Sequence, residues 1–285
     1  MSNPSTGGGQ SSAVHAEGPL SQRYLATTLP VLAFITLVAF ETIAVATAMP
    51  VAAADLGGVR SYGLAFSSFL TASLLGTVLA GSWADVRGPR APMATGAVLF
   101  VLGQAVCAGA PVFWVLLVGR LLAGLGGGLV VVAIYVVVGA AYPDSLRPKV
   151  FGWISAAWVL PGIVGPAIAG WVADSVGWRW VFGAVVPFAV LVASIIVPRV
   201  SARTVAESAA GHGRVWRGLV LAGGAGGLQV GAQGLGRGNG WSIALTVAGV
   251  AGIAVALPGL LPRGTLRAAR GLPSVVGVRG WFTAA

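Results

Sequence analysis

Gly81-Ser82-Trp83-Ala84-Asp85-Val86-Arg87-Gly88-Pro89-Arg90 is the first dense group of charges in the chain, and long apolar runs flank it on both sides. A carboxylate and two guanidinium groups do not remain in hydrocarbon, so if those runs cross a bilayer this decapeptide lies at a water interface. Gly88 and Pro89 permit a tight reversal, and Asp85, Arg87 and Arg90 give it a fixed charge pattern. Read on charge alone, the stretch is equally compatible with a short basic loop that only sets orientation.

The bulk composition supports the bilayer reading. Of 285 residues, 56% are hydrophobic and 8% charged, with a mean hydropathy of +0.90. A soluble domain carries about a quarter charged residues, so the expected class is an all-α, polytopic membrane helix bundle. The formal net charge of +10 does not point to nucleic acid. The basic residues are scattered singly between apolar runs, without a lysine-rich tract or interleaved aromatic platform. A lone cysteine, Cys107, excludes an internal disulfide, and His15 and His212 both lie in polar segments, which leaves no metal constellation and no cofactor.

Working outward, apolar runs fall at about 27–50, 62–84, 91–110, 113–141, 150–173, 179–198, 216–235 and 241–261, each close to the roughly 20 residues a crossing needs. A ninth begins near Ser274 and stops at Ala285, so the chain is expected to be the front part of a longer protein. The expected organisation is a disordered cytoplasmic N-terminus over 1–22, a bundle over 23–199, a cytoplasmic linker over 200–215, two extra helices over 216–262, and the start of a truncated domain over 263–285.

With the N-terminus inside, the inner segments hold Arg23, Arg87, Arg90, Arg147, Lys149, Arg199, Arg203, Arg214, Arg217, Arg263, Arg267, Arg270 and Arg279. The outer segments hold Arg60, Arg179 and Arg237. The positive-inside rule therefore places the N-terminus in the cytoplasm of a plasma-membrane protein.

Charges inside the predicted spans are few. Glu41 sits near the middle of the first run, where an ionised carboxylate is costly and exchange of a proton is the expected use. The other reading is a protonated side chain bonded to a neighbouring helix for packing alone. Arg120, in the fourth run, keeps its charge and needs a partner, a polar cavity or a route to the outer interface. Gln104 and Tyr135 are polar enough to line a cavity, although helix–helix bonding suits them equally. Pro161, Gly162, Gly165, Pro166 and Gly170 in the fifth run lack two backbone donors and permit bending, so they form either a hinge or a kinked helix without a gating role. Gly124 and Gly128 form a small-residue pair, and the glycine run between them is no phosphate loop, since no strand precedes it and no Lys-Ser/Thr follows.

Several of these stretches together resemble one family. Gly81, Asp85, Gly88 and Arg90 match the loop signature between the second and third helices of the major facilitator superfamily, with Val86 and Pro89 departing from its usual basic residues. Arg120 with Gly124 resembles the fourth-helix signature, Ala123 replacing the usual glutamine, and Gly165-Pro166 with Gly170 resembles the fifth-helix signature of the antiporters, with Ala169 for its first closing glycine. Glu41 through Pro50 resembles the first helix of the drug:proton antiporters with fourteen helices, with Glu for Asp and Ala46 for the common asparagine, and Gly177-Trp178-Arg179-Trp180 is similar to that group as well.

The resemblance implies a six-helix N-terminal domain of two inverted three-helix repeats followed by two linking helices. It further implies proton-coupled efflux of small amphipathic molecules by alternating access, with Glu41 as proton carrier, Arg120 as its charge partner and the Asp85 loop as a cytoplasmic gate. Asp85 would brace a helix end in a C-terminal half outside this chain. The expected partners are a small-molecule substrate, protons, the lipid bilayer and that missing half, and the 285-residue chain alone is expected not to transport. A non-transporting fragment is the alternative. A polytopic membrane enzyme would need clustered acids or histidines, and the seven acidic residues are well separated.

Overall fold

Helices account for nearly all of the described residues. The computed structural model describes residues 18–200, 220, 221, 223–228, 231 and 240–260. The helices are α1 Gln22–Asp55, α2 Gly63–Arg87, α3 Arg90–Ala108, α4 Phe113–Ala141, α5 Arg147–Ser175, α6 Arg179–Gly183, α7 Val185–Ile196 and α8 Gly240–Leu260. Among the described residues six segments are long and apolar enough to cross a membrane, α6 and α7 together making the sixth. The predicted seventh run lies mostly outside the described residues, as do the two termini and the expected ninth helix.

The boundaries shift for physical reasons. α1 has 34 residues, about 51 Å at 1.5 Å per residue. It extends past a hydrocarbon core of about 30 Å at both ends, and the apolar pattern marks only the immersed part. Asp85 belongs to the last turn of α2 rather than to the reversal, which is confined to Gly88 and Pro89. Gly88 takes φ +74° as its N–H bonds back to Ala84 O at 2.9 Å, a conformation that favours glycine. α5 runs unbroken through Pro161 and Pro166.

The six spans alternate in direction. One end of the bundle collects the start of α1, the α2–α3 reversal, the α4–α5 connection and Arg199, and the other collects Asp55, the α3–α4 connection and the start of α6. Arg23, Arg87, Arg90, Arg147, Lys149 and Arg199 fall at the first end, Arg60 and Arg179 at the second. Large apolar side chains such as Ile163 and Trp171 on α5 are 73% and 70% exposed. A fold surrounded by water does not carry such residues in series, whereas hydrocarbon accepts them without penalty. The protein is a multi-pass membrane protein.

Packing divides the bundle into two groups. α4 is the centre of the first, and its glycines work on two faces. A Cβ on Gly124 would lie 2.3 Å from Phe69 O and one on Gly128 would lie 2.2 Å from Ser73 O, both on α2. On the opposite face, a Cβ on Gly126 would lie 2.3 Å from Phe100 N and one on Gly119 would lie 2.6 Å from Cys107 Sγ, both on α3. Residues 124 and 128 are four apart and therefore share a face. The helices approach at backbone distance because apolar association cannot drive packing in lipid and van der Waals contact must.

The second group pairs α1 with α5, where Pro161, Gly165 and Ala169 are buried at four-residue spacing, and the α6–α7 span packs against both groups, on α1 and on α3. Direct contact between α1 and α4 is slight. At the Arg23 end the groups are tied by Thr28 of α1, whose hydroxyl pairs with the Tyr142 hydroxyl at 2.7 Å and also donates to Pro19 O at 2.7 Å. Tyr24 stacks on the same Tyr142 ring with centroids 5.0 Å apart.

Candidate functional site

Midway through the bundle, where the two helix groups meet, the described spans bury two opposite charges. Glu41 on α1 and Arg120 on α4 are each 1% exposed, and the Arg120 Nη1 pairs with Glu41 Oε1. The guanidinium does not run along α4 to the interface. Its Nε donates to Ala65 O of α2 at 3.0 Å, and its Cζ stands 4.4 Å from the centroid of the Phe69 ring.

The local sequence explains how this happens. α2 and α4 run parallel and in step, so that Arg120 meets Ala65, Gly124 meets Phe69 and Gly128 meets Ser73 over three successive turns. The absent side chain at Gly124 lets the Phe69 backbone close in, and that approach lays the Phe69 ring beside a cation one turn earlier on the same face of α4. An arginine four residues before a glycine is the local arrangement that sets a charge beside a close helix contact.

Electrostatically the pair is self-contained. A charge taken out of water needs a counter-charge and further hydrogen bonds. Arg120 has the carboxylate, a carbonyl and an aromatic face. Glu41 has Arg120 alone, and its Oε2 has no hydrogen-bond partner among the described residues. The pair is thus lopsided: the cation is held from three sides and the acid from one, so the acid is the member whose charge can change at least cost to its surroundings.

The other predicted residues are not gathered here. Gln104 on α3 is fully buried, and neither of its amide atoms finds a hydrogen-bond partner among the described residues. Tyr135 is 41% exposed and meets Phe151 of α5 edge-on at 5.8 Å. Gly81, Asp85, Arg87, Gly88 and Arg90 lie at the Arg23 end of the bundle, and among the described residues Asp85 has no ion pair. Gly162, Gly165 and Gly170 face α1 at ordinary contact distances of 3.6–3.9 Å from Ile43, Phe40 and Thr47, measured from a Cβ built on each.

An apolar cavity of about 400 Å³ opens between α1, α5 and α6–α7, lined by residues including Thr36, Phe40, Pro161, Trp180 and Phe188. Phe40 directly precedes Glu41, so the cavity and the ion pair share one turn of α1.

Sequence reasoning missed the arrangement at the opposite end. Asp55 accepts from Trp178 Nε1 at 3.1 Å and from Arg179 at 3.0 Å, and Arg179 reaches Ala110 O at 3.3 Å. This joins the ends of α1, α3 and α6. The signal was an acid closing the first apolar run and a Trp-Arg pair opening the sixth, but nothing in the sequence says that these two ends meet. Arg179 and Asp55 are 46% and 50% exposed, and half-exposed pairs contribute little. Asp55→Asn, which keeps an acceptor for Trp178, is expected to leave the melting temperature in detergent nearly unchanged. Asp55→Ala, which removes the acceptor, lowers it measurably.

Comparison with known proteins decides the family. The model of the Major Facilitator Superfamily matches residues 31–285. The chain belongs to the major facilitator superfamily. It is 34% identical over 166 residues to the multidrug transporter protein MdtP of Bacillus subtilis, a match covering 58% of this chain and 30% of that protein. It is 31% identical over 177 residues to a probable multidrug-efflux transporter of Mycobacterium tuberculosis, covering 62% of this chain and 38% of the relative. The match to each thus spans about a third of the relative's length.

Among solved structures, a D-xylose–proton symporter superposes with a TM-score of 0.55 at 16% identity, over 82% of this chain and 66% of that one. The xylose transporter XylE of E. coli, in a partially occluded inward-open conformation, gives the same score at 14% identity. These likenesses show that the bundle shares their fold. Glu41, Arg120 and the Phe40 cavity all lie inside the matched region.

Proposed function

We propose that this major facilitator bundle is half of a proton-coupled exporter of small amphipathic molecules, and that Glu41 is the proton carrier. The observation that carries the reading is the buried ion pair, in which the Arg120 cation is held from three sides while Glu41, among the described residues, depends on Arg120 alone. Arginine keeps its charge at every working pH. A proton on Glu41 therefore cancels one charge and leaves the other standing, which makes the unit a switch rather than a fixed brace. The apolar cavity beside Phe40 is suited to the hydrocarbon portion of a substrate, and the multidrug relatives support an amphipathic class.

In this reading the N-terminus is cytoplasmic, because the arginine-rich end then faces inward. The stretch Gly81–Arg90, the last turns of α2 and the Gly88–Pro89 reversal, acts as a gate against an opposing six-helix unit, and the proline–glycine stretch of α5 flexes as the units rock. The relatives' greater length supports a second such unit as part of the working protein, so the 285-residue chain alone is expected to give no proton-driven uptake in proteoliposomes.

The test is export of a cationic amphipathic dye from cells expressing the full-length protein. Glu41→Gln is expected to lower pH-gradient-driven export at least about tenfold, corresponding to a loss of ~1.4 kcal/mol or more of coupling. Glu41→Asp is expected to retain part of it. Undiminished, gradient-dependent export by Glu41→Gln overturns the assignment.

A further inference from the structure

We propose that Phe69, with the Ala65 carbonyl, is a standing seat for the Arg120 guanidinium, a positioning device that keeps the cation on the α2–α4 side when Glu41 is neutral. The inference rests on the reading of Glu41 as proton carrier and adds a question that reading leaves open: where the arginine goes once its counter-charge is gone.

Three observations carry it. The first is that Arg120 has two contacts that do not involve Glu41. Both come from α2, four residues apart on one helix face: the carbonyl at 3.0 Å from Nε, and the Phe69 ring centroid 4.4 Å from Cζ. Phe69 is itself 3% exposed, so this cation–π contact is shielded from water. The second is that the seat cannot drift. The Phe69 backbone is locked against Gly124, where a Cβ would lie 2.3 Å from Phe69 O, so the ring and the arginine are carried by two helices that move together.

The third is that Glu41 comes from the other packing group. α1 packs on α5 and on α6–α7, which also packs on α3, and the α1 backbone approaches α4 at few points. Neutralising Glu41 therefore removes a tie between the groups while the arginine keeps its place in one of them.

At that depth no other charge among the described residues replaces that tie. Asp85 and Arg87 of α2, Arg90 of α3, Arg147, Lys149 and Asp174 of α5, and Arg179 of α6 all sit at helix ends. From Phe69 to Asp85 alone is about 24 Å along α2 at 1.5 Å per residue. Proton binding at Glu41 accordingly removes the ionic tie between α1 and α4 and leaves the cation ready to receive the carboxylate again.

The experiment is graded fluorination of the ring. Mono-, di- and trifluorophenylalanine incorporated at position 69 weaken the negative ring face stepwise with little change in shape. Melting temperature of the purified chain in detergent is the readout, which does not depend on transport. In the Glu41→Gln background, where Arg120 has no counter-charge and leans more on the seat, each added fluorine is expected to lower the melting temperature, by roughly 2–4 °C in total. With Glu41 present the slope is shallower, and in Glu41→Gln/Arg120→Leu it vanishes. Phe69→Tyr in the Glu41→Gln background retains the melting temperature and Phe69→Leu does not. A fluorination slope that persists with Leu at position 120, or no slope in Glu41→Gln, shows that Phe69 only fills space and overturns the seat. Export by Glu41→Gln bears on the proton-carrier reading, so the two failures are distinguishable.

Discussion

Arg120→Leu is expected to cost the protein roughly 3–5 kcal/mol of stability at neutral pH, the range for breaking a buried ion pair from one side. Among the described residues the remaining Glu41 has no hydrogen-bond partner on Oε2 and no other counter-charge. It must either stay ionised in a dry interior or draw a proton from the medium. Drawing that proton becomes easier by about 1.36 kcal/mol for each pH unit of acidification, so the deficit of Arg120→Leu is expected to shrink steadily from pH 7.5 toward pH 5.

Glu41→Gln behaves differently. Arg120 cannot release its proton, so the variant's own stability does not respond to pH at this site; its deficit is smaller because Ala65 and Phe69 still hold the guanidinium, and it narrows where acid protonates Glu41 in the parent. The double variant Glu41→Gln/Arg120→Leu removes both charges and is expected to recover most of the stability without recovering export. Thermal melts followed by size-exclusion chromatography across pH check all three. A pH-independent deficit in Arg120→Leu, or a double variant as unstable as the sum of the singles, contradicts the buried pair.

The second large effect concerns three consecutive glycines of α4. Gly128→Val is expected to abolish accumulation of folded protein in the membrane, because a Cβ there would stand 2.2 Å from Ser73 O and 3.0 Å from Thr77 N. Both obstacles are backbone, and α2 cannot retreat without giving up its contacts at Gly124 and Arg120. Overpacking a core typically costs about 1–3 kcal/mol, and with an immovable neighbour the cost lies at or above the upper end. Gly126→Val fails in the same way against Phe100 N at 2.3 Å on α3. Gly127→Ala is the control: its Cβ would meet Val38 Cγ1 at 3.5 Å, an ordinary contact, and the variant is expected to accumulate like the parent. Equal tolerance at all three positions contradicts the two-faced packing of α4.

How much of this was legible beforehand follows from what each signal measures. Apolar runs report immersion in hydrocarbon, so the spans were readable while the solvated ends of α1 were not, and the break between α6 and α7 leaves no mark in hydropathy. Glu41 and Arg120 stood out because charges inside apolar runs are rare. Their pairing was not determined by sequence, since it depends on how two helix groups meet. Phe69 was invisible for the opposite reason: one phenylalanine among many apolar residues carries no sign that it lies beside a cation. Gln104 shows the limit of reading polarity as exposure, because it is polar and fully enclosed. Asp55 and Arg179, which lie at span ends, read as ordinary interfacial charges until the fold brings them together.

The central claim is that Glu41 takes up and releases a proton beside Arg120, and infrared difference spectroscopy of the purified chain in lipid, titrated between neutral and acid pH, tests it most directly. The account predicts a protonated-carboxyl stretch that appears on acidification, shifts in deuterated buffer and is absent from Glu41→Gln. A spectrum in which Glu41→Gln leaves every titrating carboxyl band unchanged would mean that this side chain keeps one protonation state throughout, and the coupling role would fall.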